Sequence, residues 1–456
     1  MGRKEARLPL ISGAAKTIGL RKPFRNKVLA QSASQTAGSS DHEATGCPLA
    51  GRTVAVVHAA WHSCGSYQVN VGQAAVYKAL GAHVISLAVR EWPPGQSDLG
   101  APRWRDYIEH TRDMPADERF YANMPGAVLA KPAFWRQVYW PLIHGQHARA
   151  TAAMTGLARL PDQLVGRRID LIHCNHFFCI PAARNLSPVA PLVVETQDVQ
   201  ALQYDLRNDG LFLVPPRATY GELLTAELDW LRRADLLVHL NAEECGAFEK
   251  LLPDMRNALV YPAVEEAPTG PGGDDIVIVA SGNLPNVLSV EWFLEHVAPR
   301  APRASVKIAG NVDGALKARN PVLHERWRSL FLGRVDDIGA IYARAGLVLL
   351  PTREGHGLSI KAVEALSSGA PLIATPQAFR GMRIDPARLG NVTLCSDAES
   401  FAAALDDAAA RGPGGDSRAK GAAREQSDTR KFYQANFSAA AYERAIRDLV
   451  LPLVKA

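Results

Sequence analysis

Two series of short apolar runs, each broken by helical stretches, leave this chain few folds to choose from. TVAVVHAA (53–60) has the pattern of a buried strand, VNVGQAAVYKALG (69–81) has helical spacing with a glycine stop, and AHVISLAV (82–89) is a second strand. DLIHCN, PLVVET and ADLLVHLN repeat the strand pattern further along. The Pro- and Gly-rich EEAPTGPGGDD (265–275) then marks a boundary, and the series restarts. IVIVASG, ASVKIAG, AGLVLLP and APLIAT read as strands, with VEWFLEHVAP as a helix between the first two. Strands joined by helices pair in parallel and build doubly wound sheets. The expected fold class is therefore α/β, with two Rossmann-like doubly wound domains facing each other across a cleft at the carboxyl ends of their strands.

The length agrees, since 456 residues exceed what one core comfortably supports. The expected organisation is a disordered basic tail and linker over 1–50, a first domain over 51–270 with an aromatic-rich insertion at 91–160, a second domain over 271–425, and a closing helix over 426–456. In that last segment FSAAAYERAIRDLVLPLV sets Tyr442, Ala445, Ile446, Leu449 and Val450 on one face, which calls for a docking surface.

Composition excludes several classes. The chain is 47% hydrophobic and 21% charged, as expected of a globular protein, and its net charge of +5 is too diffuse to favour nucleic acid as a partner. Six scattered cysteines without a CxxC pair exclude zinc-ribbon spacing and argue against a disulfide framework, so the expected location is cytoplasmic. No apolar stretch approaches the roughly 18 residues of a membrane helix. Eight Lys or Arg against one acid, Glu5, precede residue 28; the LPLISGAAKTIGL run within this segment is broken by Lys16, and Ala6 fails the myristoylation pattern. The tail reads as a disordered basic segment, with weak peripheral contact to an anionic inner membrane face as its functional alternative.

PTREGHGLSIKAVEALSSGAPLIAT (351–375) carries the chemistry. An apolar strand ends at Leu350, a loop follows with Gly355 and Gly357 flanking His356, and a helix begins. Free amides at a helix N-terminus and the helix dipole favour an anion, and glycines let the backbone approach it closely. A lone GxG is more often an ordinary turn, so the rest of the chain has to decide.

The second half resembles the nucleotide-sugar-dependent glycosyltransferases of the GT-B fold, in particular the large retaining group of family 4 (group 1). The resemblance rests on VIVASGNLPNVLSVEWFLEHVAPRAPRASVKIAG, FLGRVDDIGAIYARAGLVLLP and GHGLSIKAVEALSSGAPLIATPQAFRGM, in that order. DLIHCNHF, PLVVETQDVQA and ELDWLRRADLLVHLNAEECGAFEKLLP extend it more loosely into the first half, so that it spans about residues 52 to 385. It implies a donor domain in the second half, an acceptor domain in the first, and transfer of a sugar from a nucleotide diphosphate donor to a glycan, lipid-linked or small-molecule acceptor with retention. It also implies a diphosphate leaving group stabilised by amides and a helix N-terminus, with no metal or other cofactor.

Carried onto this sequence, amides around Gly355, Gly357, Leu358 and Ser359 would hold the diphosphate. Glu364, about 10 Å further along the helix, would take the ribose diol. Lys361 either approaches phosphate or pairs with Glu364 at i, i+3. His356 faces the presumed sugar-phosphate. Ser281, Gly282 and Asn283 occupy a turn where many relatives place an Arg and a Lys, and this turn has neither. Gly333 and Val335 would meet the base through their backbone. In the first domain Gly65 and Ser66 match the loop that approaches donor phosphates or acceptor. Gln197 stands where a His is common, and Asp198 would orient an acceptor hydroxyl. Glu354 and Glu364 are ten apart rather than the usual eight, so the first is not carried over. Trp92, Trp104, Tyr107, Phe120, Tyr121, Phe134, Trp135, Tyr139 and Trp140 form either a packed insertion or an acceptor platform. Gln197 and the missing basic pair keep a rival open, a non-catalytic glycan- or nucleotide-binding member of the same fold. A nicotinamide dehydrogenase would need GxGxxG after the first strand, which WHSCGSYQVNVG does not supply.

Overall fold

A computed structural model describes residues 47–62, 64–90, 104–209, 216–268, 270, 272–355, 357–411 and 417–455. The basic tail, His356 and residues 91–103 of the aromatic stretch lie outside the described residues.

The first sheet is built from β1 (Thr53–Ala59), β2 (His83–Val89), β3 (Glu118–Ala122), β4 (Leu171–Asn175), β5 (Leu192–Glu195), β6 (Leu236–His239) and β7 (Asn257–Leu259). All pairings are parallel, in the order β3-β2-β1-β4-β5-β6-β7. Helices cover both faces, so central strands are apolar along their whole length rather than alternating; six of the seven residues of β1 are buried. One face packs Val57, Leu87, Ile172 and Val194 against Phe177 and Phe178. The other packs Val54, Val56 and Val193 against Tyr67, Val71 and Tyr77 of α1 (Gly65–Ala79). Two further helices matter below, α2 (Tyr220–Leu231), held by a Thr219–Glu222 capping box, and α3 (Ala242–Leu251), capped by Asn241.

The second sheet repeats the plan with β8 (Asp275–Val279), β9 (Val306–Ala309), β10 (Phe331–Gly333), β11 (Ala345–Leu350), β12 (Leu372–Ala374) and β13 (Val392–Leu394), ordered β10-β9-β8-β11-β12-β13 and again parallel. Its positioning helices are α4 (Leu284–Trp292), α5 (Val312–Arg319), α6 (Ile338–Arg344) and α7 (Ile360–Ser367). Residues of β8 alternate between two cores: Val277 and Val279 join Val348, Ala362 and Leu366, whereas Ile276 and Ile278 join Phe293 and Leu349. In each sheet the strand order reverses beside its first strand, at β1/β4 and at β8/β11. Crevices at such reversals are where ligands of open α/β sheets bind.

Two sequence expectations need correction. The stretch 91–160 is not an insertion throughout, because Glu118–Ala122 supplies the parallel edge strand β3. The segment 426–456 is not one closing helix. Its first part, α8 (Asp428–Asn436), adds Tyr433 to the second domain's core, with Phe437 just beyond the helix end. Its second part, α9 (Ala439–Lys455), returns to the first domain and buries Tyr442, Ile446 and Val450 against α1 and β1. The C-terminus thus ties both units together. None of the six cysteines is joined in a disulfide, and no helix among the described residues is long and apolar enough to cross a membrane.

Candidate functional site

Because the second sheet is wholly parallel, the loops that follow its strands gather at one edge. Gly333 ends β10 and Val335 follows it, Gly310 follows β9, Ser281–Asn283 follow β8, and Pro351–Gly355 and Gly357–Ser359 follow β11. The Gly310 amide donates to the Gly333 carbonyl at 2.8 Å, and Gly333 itself has φ +67. Gly282 is closely packed, since a Cβ there would lie 3.0 Å from the Asn311 carbonyl oxygen and its neighbours would have to give. Ser281 Oγ accepts from Asn286 Nδ2 at 2.8 Å, and Asn283 caps α4 through a 3.1 Å bond from the Asn286 amide. These three side-chain positions therefore do local structural work, and they offer a ligand mainly backbone.

Across the β8/β11 crevice, Gly355 and Gly357 adopt φ +138 and +63, conformations that glycine takes without strain. The chain then enters α7 at Ser359, which makes no side-chain cap bond. The first amides of α7 are left for another acceptor, and the helix dipole favours an anionic one. Glu364 is half-buried, accepts from Lys361 Nζ at 2.7 and 2.9 Å, and lies 3.4 Å from the Tyr342 hydroxyl of α6. Of the two readings of Lys361, the i, i+3 pair is the one formed.

A residue not singled out from the sequence, Arg380, completes this edge. It comes from the turn after β12, and its guanidinium lies against the backbone of Gly355. Arg353, the other nearby cation, instead stacks on Trp292 at 4.8 Å from the ring centroid.

On the first sheet Gly65 and Ser66 open α1, whose N-cap, Cys64, makes no side-chain cap bond. Gln197 and Asp198 follow β5. Gln197 is a non-glycine residue at φ +65, and His176, after the adjacent β4, is another at φ +67. Two such residues on neighbouring strand ends store strain, a condition that persists where surrounding structure over-determines it. Here the determinant is visible. Gln197 Nε2 donates to Asn175 Oδ1 at 2.8 Å and to Glu195 Oε1 at 2.6 Å. Gln73 of α1 donates to Glu195 Oε2 at 2.7 Å and exchanges two bonds with Asn175. His173 stands 3.8 Å from Glu195 and bonds the Tyr77 hydroxyl at 2.8 Å. Burial pushes the Glu195 carboxyl up to about 8, against the pull of the Gln73 bond, and drives His173 down to about 3. His176 packs between Trp61 and Phe178 at 4.8 and 5.0 Å. The signal for this network was present as polar letters inside apolar strand runs, His173 and Asn175 in DLIHCN and Glu195 in PLVVET.

The two edges meet at α3. The Ala242 amide donates to the Gly381 carbonyl at 2.8 Å, Glu243 accepts from the Gly381 amide at 3.2 Å, and Asn241 Nδ2 lies 3.8 Å from where a Cβ of Gly357 would sit. Burial raises Asp198 to about 6 and Glu244 to about 8, and the two carboxyls repel each other. Burial also raises Glu227, to about 7, although it accepts from the amides of Gln200 and Ala201. The structure thus sets Gln197–Asp198 and the Gly355–Glu364 segment on opposite sides of one junction. The aromatics divide: Tyr107 is buried, whereas Trp135, Tyr139 and Trp140 are exposed.

Comparison with known proteins agrees with this geometry. Residues 275–411 match the family model described as glycosyl transferases group 1. No curated protein sequence matches the chain. Among solved structures, HepE of Anabaena in complex with UDP superposes with TM-score 0.55 at 13% identity, covering 88% of this chain and 99% of that one. Sucrose-phosphate synthase of Thermosynechococcus elongatus gives 0.52 at 16%, covering 89% and 99%. The UDP-forming trehalose-phosphate synthase of Burkholderia vietnamiensis gives 0.50 at 15%, covering 89% and 100%. At such identities the likeness is one of fold. The chain has the GT-B fold, and its residues 275–411 are similar to the group 1 glycosyltransferase domain.

Proposed function

We propose that the protein transfers a hexosyl group from a nucleoside diphosphate-sugar, held on the second domain, to a glycan, lipid-linked or small-molecule acceptor that enters over the first, with retention of configuration. The observation that carries this reading is the loop at the β8/β11 crevice, with two positive-φ glycines leading into the uncapped N-terminus of α7 and a half-buried Glu364 further along the same helix. The amides around Gly357, Leu358 and Ser359 receive the diphosphate, and their fixed dipoles stabilise the charge it gains as the leaving group. Glu364 accepts from the ribose diol and is oriented by its bond from Lys361. Backbone at Gly333 and Val335 meets the base. During transfer the bond from the anomeric carbon to the phosphate oxygen breaks with its electron pair leaving on the diphosphate. A new bond forms to the acceptor oxygen, whose proton is released. Asp198, at about 6, is largely ionised at pH 7 and accepts the hydrogen bond of that hydroxyl. The reading assigns no metal to any of these steps.

UDP-sugars are the first donors to try, because HepE was solved with UDP and the Burkholderia enzyme is UDP-forming. The test is release of nucleoside diphosphate from radiolabelled UDP-, GDP- and ADP-hexoses, by the wild-type protein and by Glu364→Ala. Consumption of one donor, abolished in the variant, supports the reading. A second reading, a member that binds nucleotide without turnover, is favoured by Gln197, whose amide nitrogen is committed to Asn175 and Glu195. Saturable nucleotide binding with no turnover of any donor would select it.

A further inference from the structure

The turn after β8 lacks the cations that would neutralise a leaving diphosphate, yet a cation stands at the other side of the crevice. Arg380 ends the short turn Pro376–Phe379 that follows β12, so chain direction alone delivers it to the carboxyl edge of the sheet. Its guanidinium lies so close to Gly355 that a Cβ there would sit 2.6 Å from Cζ and Nη2 and 2.9 Å from Nε. The next residue, Gly381, is pressed against the same loop, with the Gly357 carbonyl and Leu358 Cα each 3.1 Å from the position of a Cβ. Arg380, Gly381 and the backbone of Gly355, Gly357 and Leu358 therefore form one surface.

The hydrogen bonding of Arg380 is far from complete. A guanidinium offers five N–H donors in a fixed fork. Nε is buried with no acceptor, and Nη1 reaches only the Gln377 carbonyl, at 3.4 Å. Among the described residues no carboxylate forms an ion pair with it: Glu243, the acid it feels, is engaged by the Gly381 amide. Burial lowers its pKa from the ordinary arginine value, as expected for a cation without a counterion. An unpaired, partly buried charge costs stability, and a protein that retains one beside free helix amides leaves room for an anion with several oxygens.

We propose that Arg380 is the diphosphate-binding cation of this protein, its guanidinium and the amides of the Gly355–Ser359 loop gripping the same phosphates from two sides. Glycine at 355 is then required by Arg380 as much as by the phosphates, since any side chain there would displace the guanidinium. The inference rests on the donor-site reading above, and it can fail separately from that reading.

The experiment is calorimetric titration of the full chain with UDP, GDP and ADP, and with the nucleoside of whichever binds, for wild type, Glu364→Ala and Arg380→Met. Methionine keeps an apolar stem and removes the charge together with the N–H donors. The expected result is about 10- to 100-fold weaker diphosphate binding in Arg380→Met, the scale of a charge-assisted hydrogen bond. Nucleoside affinity should be unchanged, and the Tm of the free protein unchanged or raised. Equal losses for nucleoside and diphosphate, or a lowered Tm, would make Arg380 a structural support and overturn the proposal. Unaltered diphosphate binding in Arg380→Met beside a loss in Glu364→Ala would overturn it while leaving the donor site standing. Binding of none of the three nucleotides to folded wild type would sink both.

Discussion

Replacing Gly355 with alanine separates the two roles given to the Gly355 loop. At φ +138 an alanine is strained wherever it points, by about 1–3 kcal/mol. Its Cβ would also lie 2.6 Å from the Arg380 guanidinium, but that group is the end of a flexible side chain and can withdraw. The stability cost is therefore set by the backbone, and the lost contact appears in binding. For a unit of this size each kcal/mol corresponds to a Tm fall of about 2–4 °C. Gly221→Ala on α2 is the control, because Gly221 has no positive φ, its Cβ would meet nothing within 4 Å, and it belongs to neither proposed site. That substitution should change stability by less than about 1 kcal/mol, in either direction. The assay is thermal and urea unfolding followed by circular dichroism, with nucleotide titration of both variants. A Gly355→Ala protein that melts with wild type and binds nucleotide with wild-type affinity would refute the reasoning. Equal losses in the two variants would refute it too.

Gly310→Ala should be among the most damaging single changes, costing about 3 kcal/mol or more, since at φ +118 its Cβ would collide with the Ala280 carbonyl oxygen, which is backbone and cannot withdraw; expression and Tm report it. Ile446→Ala on α9 should cost about 2–5 kcal/mol and destabilise the first domain rather than the second, which limited proteolysis with fragment identification distinguishes. Stability should fall as pH rises from about 5 to 8, because four raised carboxyls outweigh two lowered imidazoles over that range. Buried Asp198, Glu195, Glu227 and Glu244 ionise only at about 6, 8, 7 and 8 in the fold but near 4 in the unfolded chain, so their contribution is lost as pH rises. His58 and His173, held down to about 4 and 3, lose theirs as pH falls below the unfolded value of about 6.5. A Tm that is flat or rises over that range would contradict these assignments.

The strands that sequence revealed are the central ones. TVAVVHA, HVISLAV, LIHCN and AGLVLL are buried on both faces, and burial writes itself as an unbroken apolar run. The strands that escaped notice are β3, β7, β10 and β13 at or beside the sheet edges. ERFYA carries two charges, while NAL, FLG and VTL are three residues long and only partly buried, too little to set a period. The same division holds for the site. Gly355, Gly357, Lys361 and Glu364 fall in one stretch of ten residues, so one loop and one helix disclose them. Arg380 lies 25 positions from the glycine it touches. Gln73 lies 102 and 122 positions from Asn175 and Glu195. Nothing short of the folded sheet brings such residues together. Left-handed backbone at Gln197 has no sequence signature, because glutamine is not among the residue types enriched there.

The most direct test of the central claim is the affinity of the purified full chain for UDP, GDP and ADP by calorimetry, beside Glu364→Ala. Lys361 and Glu364 form a partly buried i, i+3 pair at the edge of the core, so the variant should fold, and its Tm is measured beside its affinity to separate the site from stability. The account predicts micromolar binding of one nucleotide and its loss or strong weakening in Glu364→Ala. No binding of any of the three by folded wild type, or identical binding by the variant, would contradict a nucleoside diphosphate held along the 355–364 segment.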